Sequence, residues 1–358
     1  MHILQIINSF KIGGAEHLVS ELVPILNEKH HVEVLLLQQL GTAYEQQLRD
    51  TGITIHCLEV KCLYNPVNIW KIRLFLKEHP QFNIIHVHLF PLLYWVALAS
   101  IGLKRKLVWT EHSTSNKRAQ KFYMHPIERF VYSLYDKIIC ISPATLHSVR
   151  SRTKASSDDL RYCIIENGID TAKFSRSNEP KPYPHTLIQV SRFEAAKDQD
   201  TVIRAMKYLS SDVHLLLVGD GSRLEECKRL SKELNVQDRV HFLGTRTDIP
   251  RLLASADIAI QSSHWEGFGL TAVEAMVCGL PVIASDVDGL KQVVEGTGLL
   301  FPQGNAEVLA DQVNLLLSDS ERYDKLSQVC LERAKHYDIR TMVDRYIRVY
   351  EEVSSPHP

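Results

Sequence analysis

Eleven short runs of β-branched and apolar residues, separated by helix-like stretches, constrain what this chain can fold into. Six lie in the front half, at His2–Ile7, Val32–Leu37, Ile53–Leu58, Ile84–His88, Leu107–Glu111 and Lys137–Ile141. Five follow at Leu187–Val190, Leu215–Val218, Val240–Leu243, Ile258–Gln261 and Val282–Ser285. Most are continuously apolar, the pattern of strands buried on both faces of a parallel sheet covered by helices. The alternation specifies an α/β fold. Between the two series, Ser175 to His185 carries Pro180, Pro182 and Pro184 among polar residues, a composition that builds a linker. The expectation is two Rossmann-like domains, residues 1–176 and 177–337, whose parallel sheets face each other across an inter-domain crevice. At 358 residues the chain is long enough for both.

Composition narrows the function. Hydrophobic residues make up 45% and charged residues 23%, as in ordinary globular enzymes. The net charge of -1 conceals an asymmetry: residues 1–176 carry 21 Lys and Arg against 15 Asp and Glu, the remainder 20 against 27. A basic front half suits an anionic acceptor or an anionic membrane surface, and scattered solvated charge accounts for it equally well. Seven cysteines, with no Cys-x-x-Cys pair or zinc spacing, suit a reducing cytoplasm. Met1–Ile7 is too short and soon too polar for a signal peptide, and the longest uncharged run, Leu89–Leu103, is short of a membrane span. Gly13-Gly14 after the first strand lacks the later glycine of a dinucleotide fingerprint, which weakens a nicotinamide reading. Nothing in the pattern points to nucleic acid.

The stretch that promises chemistry is Glu266 to Gly279, Glu-Gly-Phe-Gly-Leu-Thr-Ala-Val-Glu-Ala-Met-Val-Cys-Gly, between two apolar runs. It reads as a loop opening into a helix at the carboxyl end of a parallel strand, where doubly wound sheets bind ligands and a helix start offers N–H groups to an anion. Gly267 and Gly269 let backbone approach a ligand. Glu266 and Glu274, eight positions apart, can both grip hydroxyl groups, since carboxylates accept strong hydrogen bonds from hydroxyls and repel diphosphate. Val190-Ser-Arg192-Phe, with Lys197 five residues on, supplies two cations at another strand end, suited to a diphosphate leaving group.

This set, in this order, resembles the retaining glycosyltransferases of family 4, which have the GT-B fold, and the resemblance runs from Gly13 to the tail. It implies that Arg192 and Lys197 hold the donor's phosphates, that Glu274 holds ribose, and that Phe268, Gly269, Leu270 and Thr271 offer backbone amides. Glu266 and His112, which follows Leu107–Glu111 at a strand end, would contact the sugar. Gly13 and Gly14 would line the active site. Val218-Gly219-Asp-Gly221 matches a strand-end turn of the family, and His241-Phe242-Leu243-Gly244 the segment beside the nucleotide base. Departures are Asp198, where glycine usually follows the lysine, and Asp288 before Gly289, where two glycines are common. The family also implies that the last helix, about residues 338–355, packs back on the front domain.

The resemblance implies metal-independent transfer of a sugar from a nucleotide-diphosphate donor, UDP favoured over GDP, to a glycan hydroxyl with retention of configuration. No separate cofactor is expected. His86 and His88 share one strand face, but no carboxylate cluster beside them supports a metal site. Lys104-Arg-Lys106 and Lys117-Arg118-Ala-Gln-Lys121-Phe-Tyr123 suit a polyprenyl-diphosphate-linked glycan at the inner membrane face, hence a cytoplasmic protein with peripheral membrane contact in polysaccharide assembly. Two alternatives stand: a nucleotide-sugar epimerase of the same fold, which consumes donor without acceptor, and a non-catalytic subunit of a polysaccharide assembly complex.

Overall fold

The computed structural model describes residues 1–11, 13–113, 124–175 and 180–355. The chain divides into two compact units: Met1–Gly168 together with Ile339–Pro358, and Ile169–Asp338. The division therefore falls ahead of the proline-rich segment, because Ile169 bridges to Asp338 and the Thr171 hydroxyl donates to the Asp338 carboxylate, tying 169–171 to the second unit.

In the first unit seven parallel strands, β1 (His2–Ile7), β2 (His31–Leu36), β3 (Ile55–Cys57), β4 (Ile84–His88), β5 (Lys106–Glu111), β6 (Lys137–Cys140) and β7 (Tyr162–Ile164), lie in the order β3-β2-β1-β4-β5-β6-β7. The order reverses between β1 and β4, the point where doubly wound sheets bind ligands. Successive side chains serve opposite faces: Leu4 and Ile6 join one apolar cluster with Val87 and Trp109, whereas Ile3 and Ile7 join the other with Ile84 and Val108. The helix Pro143–Thr153 begins on a local cap, Ser142 accepting from the Thr145 N–H with proline in the first turn.

The final helix, Ile339–Ser354, covers the second of these faces. It buries Ile339, Met342, Val343, Tyr346, Ile347, Tyr350 and Val353, a 3.6-residue stripe. Tyr346 and Tyr350 are fully buried, each contributing about 2–3 kcal/mol by area. Its exposed pairs, Arg340 with Glu28 and Lys29 with Asp344, add little.

The second unit holds six parallel strands, β8 (His185–Val190), β9 (Val213–Val218), β10 (Val240–Gly244), β11 (Ile258–Gln261), β12 (Val282–Ser285) and β13 (Leu299–Phe301), ordered β10-β9-β8-β11-β12-β13. Its reversal lies between β8 and β11, which pair directly, Leu187 opposite Ile258 and Ile188 opposite Ala259. Its core gathers Leu187, Leu215, Leu217, Ile258, Ile260, Ile283 and Phe301. The edge strands β7 and β13 have three residues each, too few to show a period in sequence. Among the described residues no helix is long and apolar enough to cross a membrane.

Tyr346→Ala is expected to destabilise the protein by about 3–5 kcal/mol in urea unfolding, the range for emptying a buried aromatic site. A loss below about 1 kcal/mol would show that the helix does not depend on this packing.

Candidate active site

The loops after β8 and β11 meet at the second sheet's reversal point. After β8 the chain runs through Ser191, Arg192 and Phe193 into a 3-10 turn, Ala195–Lys197. Two buried amides hold this loop. The Gln189 Nε2 donates to the carbonyls of Lys197 (2.8 Å) and Ser262 (3.3 Å), and the Gln199 Nε2 to the Arg192 carbonyl (2.9 Å). The turn after β9 braces it from behind. Gly219 and Gly221 have φ of 134° and 156°, and a Cβ on either would strike the carbonyl oxygen of Ser191 or Phe193. Gly219 thus acts as close packing beneath the Arg192 loop.

Asp198 takes the left-handed conformation, φ 41° and ψ 47°, that its usual glycine would adopt. Aspartate tolerates this region better than most side chains. Its buried carboxylate accepts from the Ser262 hydroxyl at 2.9 Å, so the departure adds a tie to the β11 loop while keeping the turn. A second tie runs from the His264 N–H to the Ala196 carbonyl, 2.8 Å.

These ties set Lys197 against Glu266. The Lys197 ammonium pairs with the Glu266 Oε2, the two side chains 20% and 15% exposed, and the Gly267 N–H donates to the Glu266 Oε1 at 3.0 Å. Sequence reasoning placed one on phosphate and the other on sugar; the structure joins them as an ion pair. Arg192 is exposed and makes no salt bridge among the described residues. Gly269, φ 91°, opens the helix Leu270–Val277 without a side-chain cap, leaving first-turn N–H groups that the helix itself cannot satisfy. The Thr271 hydroxyl donates to the Gln261 Oε1 at 2.8 Å, pinning the helix start to the end of β11. Gly289, φ 89°, packs where a Cβ would strike the Glu266 carbonyl. Phe268 is buried edge-on to Tyr337, so only its backbone faces the loop's surroundings. Glu274 is buried one turn into the helix. Phe242 packs beside Phe193, ring centroids 6.0 Å apart, and Leu243 follows on β10, half-buried.

The first unit carries the other predicted residues. Gly13 precedes the helix Gly14–Asn27 with φ −175°, an extended angle open to any residue, and a Cβ there would meet only the Glu16 side chain. His112 follows β5, and its Nε2 lies 3.0 Å from the His88 Nδ1. His88 Nε2 lies 2.8 Å from the Gln5 Oε1, and the Gln5 Nε2 donates to the Tyr350 hydroxyl at 3.1 Å. His86 sits between the Tyr350 hydroxyl (2.6 Å) and the Thr110 Oγ1 (2.7 Å). Burial drives His86 and His88 well below the ordinary histidine range and lowers His112 to about 4. Among the described residues no group of three or more His, Cys, Asp or Glu side chains is placed to hold a metal. Lys104 is exposed and Lys106 pairs with Asp136 at 3.0 Å; Lys117 to Tyr123 lie outside the described residues. Sequence reasoning missed Gln5, Gln189 and Gln199. Gln5 and Gln189, single amides inside apolar strands, were the available signal.

Comparison with known proteins agrees with this fold. The model of Glycosyltransferase Family 4 matches residues 12–173 and that of Glycosyl transferases group 1 matches residues 170–333. An N-acetyl-alpha-D-glucosaminyl L-malate synthase of Bacillus anthracis is 28% identical over 77% of this chain and 76% of its own length. An N-acetylgalactosamine-N,N'-diacetylbacillosaminyl-diphospho-undecaprenol 4-alpha-N-acetylgalactosaminyltransferase of Campylobacter jejuni is 25% identical over 93% of this chain and 94% of its own. The solved structure of Anabaena HepE in complex with UDP and glucose superposes with a TM-score of 0.87, covering 98% of this chain and 100% of that one at 22% identity, which shows the fold. Two doubly wound parallel units of this kind constitute GT-B.

Two outcomes follow from the packing and the charges. Gly219→Ala forces the Ser191 carbonyl to move and should cost more than the ~1–2 kcal/mol of left-handed strain alone, while Gly304→Ala, positive in φ but in open space, should cost only that strain. Equal losses in thermal unfolding would refute the bracing role. The second outcome concerns pH. The unfolded chain protonates His86, His88 and His112 near pH 6.5 and the folded first unit protonates them only at lower pH, so the unfolded state binds more protons in between and stability falls as pH is lowered from about 6.5 to about 4. Urea unfolding read from Trp109, in the first unit's core, checks this; an unchanged midpoint from about pH 7 to about pH 5 would contradict neutral burial.

Proposed function

Because this chain belongs to the family 4 glycosyltransferases (glycosyl transferases group 1), we propose that it moves a sugar from a nucleotide-diphosphate donor, UDP the favoured nucleotide, to a hydroxyl of a glycan acceptor with retention of anomeric configuration. The observation that carries the donor assignment is the meeting, at the β8–β11 reversal, of Arg192, Lys197, Glu266 and an uncapped helix start. Cations and oriented N–H groups at one sheet edge suit a diphosphate whose charge grows as the glycosidic bond breaks.

In this reading Arg192 and Lys197, with the amides of Gly269, Leu270 and Thr271, take the charge of the departing diphosphate without a metal ion. Glu274 holds ribose, and Phe242 and Leu243 lie along the base. Glu266 does two things: it holds the Lys197 ammonium in place and presents its carboxylate to the sugar's hydroxyls. The resemblance carries His112 to the sugar's hydroxyls and Gly13 and Gly14 to the active site. Gly219 acts through the Arg192 loop. The acceptor hydroxyl attacks from the leaving-group side, its proton passing to a phosphate oxygen of the donor.

A lipid-linked acceptor is favoured by the diphospho-undecaprenol substrate in the name of the Campylobacter relative and by one surface of the first unit. On the helix Asn68–Glu78 the solvent side presents Trp70 and Leu74, 73% and 58% exposed, with Val67 just before it and Lys71 and Lys77 alongside. Apolar residues interleaved with lysines suit the surface of an anionic membrane at the cytoplasmic face. Trp70→Ser with Leu74→Ser should abolish flotation with vesicles rich in anionic lipid; no flotation of the unaltered protein would remove the membrane from this account.

UDP should stabilise the protein in thermal unfolding, and Lys197→Ala should remove most of that shift. Glu266→Ala should lower transfer by at least about 10²-fold while the protein stays folded. Full activity and unchanged donor affinity in Glu266→Ala would overturn the assignment. Rapid conversion of donor without acceptor would point to an epimerase.

A further inference from the structure

The hydrogen bonds behind His112 form a continuous chain inside the first unit, and all of it lies on the sheet face covered by the helix Ile339–Ser354. Gln5, His86, His88 and Thr110 alternate onto that face from β1, β4 and β5, and Tyr346 and Tyr350 meet them from the helix. All six are fully buried, so their polar atoms must satisfy one another. With the Gln5 amide oxygen facing His88, the direction of every proton follows. The Gln5 carbonyl oxygen can only accept, so the His88 Nε2 must carry a hydrogen and donate to it. A neutral His88 then has its lone pair on Nδ1, and the ring 3.0 Å away, His112, must donate to it from Nε2. His112, neutral as well, is left with a bare lone pair on Nδ1, and among the described residues that atom has no hydrogen-bond partner.

We propose that Gln5 and His88 are positioning residues that lock His112 in the Nε2-protonated tautomer, so that its Nδ1 accepts a hydrogen bond from a sugar hydroxyl of the bound donor. Burial, which keeps both rings neutral, supports the lock. The far end of the chain is anchored by the Gln5 Nε2 donating to Tyr350, whose hydroxyl passes its own proton toward the His86 Nδ1. The last helix thus sets the protonation pattern of a residue some 240 positions earlier in the chain. An acceptor at His112 favours a donor sugar with a free hydroxyl at that position, because a site built to bond a hydroxyl is left unpaired by an analogue lacking it. The sugar contact rests on the function proposed above; the tautomer does not.

The lock is tested on the protein alone, with ring-15N-labelled histidine and the His112 signals assigned by difference from His112→Gln. The expected spectrum shows a protonated Nε2 and an unprotonated Nδ1, stable from about pH 8 to about pH 6. An Nδ1-protonated His112, the pattern produced if the Gln5 amide faces the opposite way, overturns the proposal, as does an even mixture of tautomers. Gln5→Leu removes the acceptor for His88 and should give mixed tautomers at His112. Gln5→Glu keeps an oxygen facing His88 and, with His88 neutral and donating to it, should restore the pure tautomer. In turnover with a UDP-sugar, Gln5→Leu should lose at least tenfold in kcat/KM while its affinity for UDP is unchanged, and Gln5→Glu should recover most of that loss. The correct tautomer with no change in turnover for Gln5→Leu would refute the sugar contact and leave the lock standing. Loss of UDP affinity as well would mark Gln5 as merely structural.

Discussion

The pairing of Lys197 with Glu266 is the contact around which the second unit's candidate site is arranged. Neither side chain is free in water, and each comes from a loop at the end of a different strand. A partly buried lysine beside a carboxylate is held in one orientation, while alone it would be mobile and strongly hydrated. Most of the surrounding structure serves to bring these two loops together. Gln189 reaches from β8 to the carbonyls of both, Asp198 to Ser262 and His264 to Ala196. Two glycines let the supporting backbone come close enough, Gly219 under the first loop and Gly289 under the second. The candidate site is thus built of short-range backbone approaches on a sheet edge, an arrangement that holds side chains in fixed positions.

The first unit solves a different problem. Six polar side chains lie in a face that would otherwise be wholly apolar, and an unmet polar group there would cost about 1–3 kcal/mol. The final helix both excludes water from these groups and supplies two of the partners. A network of this kind is demanding: altering one member leaves its neighbour without a bond. His112 is the residue at its open end.

Much of this was legible in the sequence, for identifiable reasons. β11 and β12 lie at the residues their apolar runs marked, since a strand buried on both faces has no other composition available. The Ser142 cap was legible because capping is a local rule. The pairing of Lys197 with Glu266 was not, because 69 residues separate them and no local rule reports on what two loops do at a sheet edge. Asp198 looked like a departure from the usual glycine and takes a left-handed conformation of the kind glycine favours, which the residue type alone could not show. Gly219 was legible as part of a strand-end turn, and its closeness to the Ser191 carbonyl, which an added Cβ would strike, was not. The first unit's boundary at Gly168 was invisible for a related reason: composition marks where chain is flexible, and the boundary is set by the contacts of Ile169 and Thr171 with Asp338.

The central claim is that the start of the helix Leu270–Val277, beside Lys197 and Glu266, receives a nucleotide's diphosphate. Amide hydrogen exchange with and without UDP, resolved to Gly269, Leu270 and Thr271, measures this directly. These amides belong to the first turn, where the helix offers no acceptor, so they should exchange fast in the free protein and slow markedly when UDP binds. UDP that binds, as judged by calorimetry, yet leaves these three amides exchanging at their free rates would contradict the account.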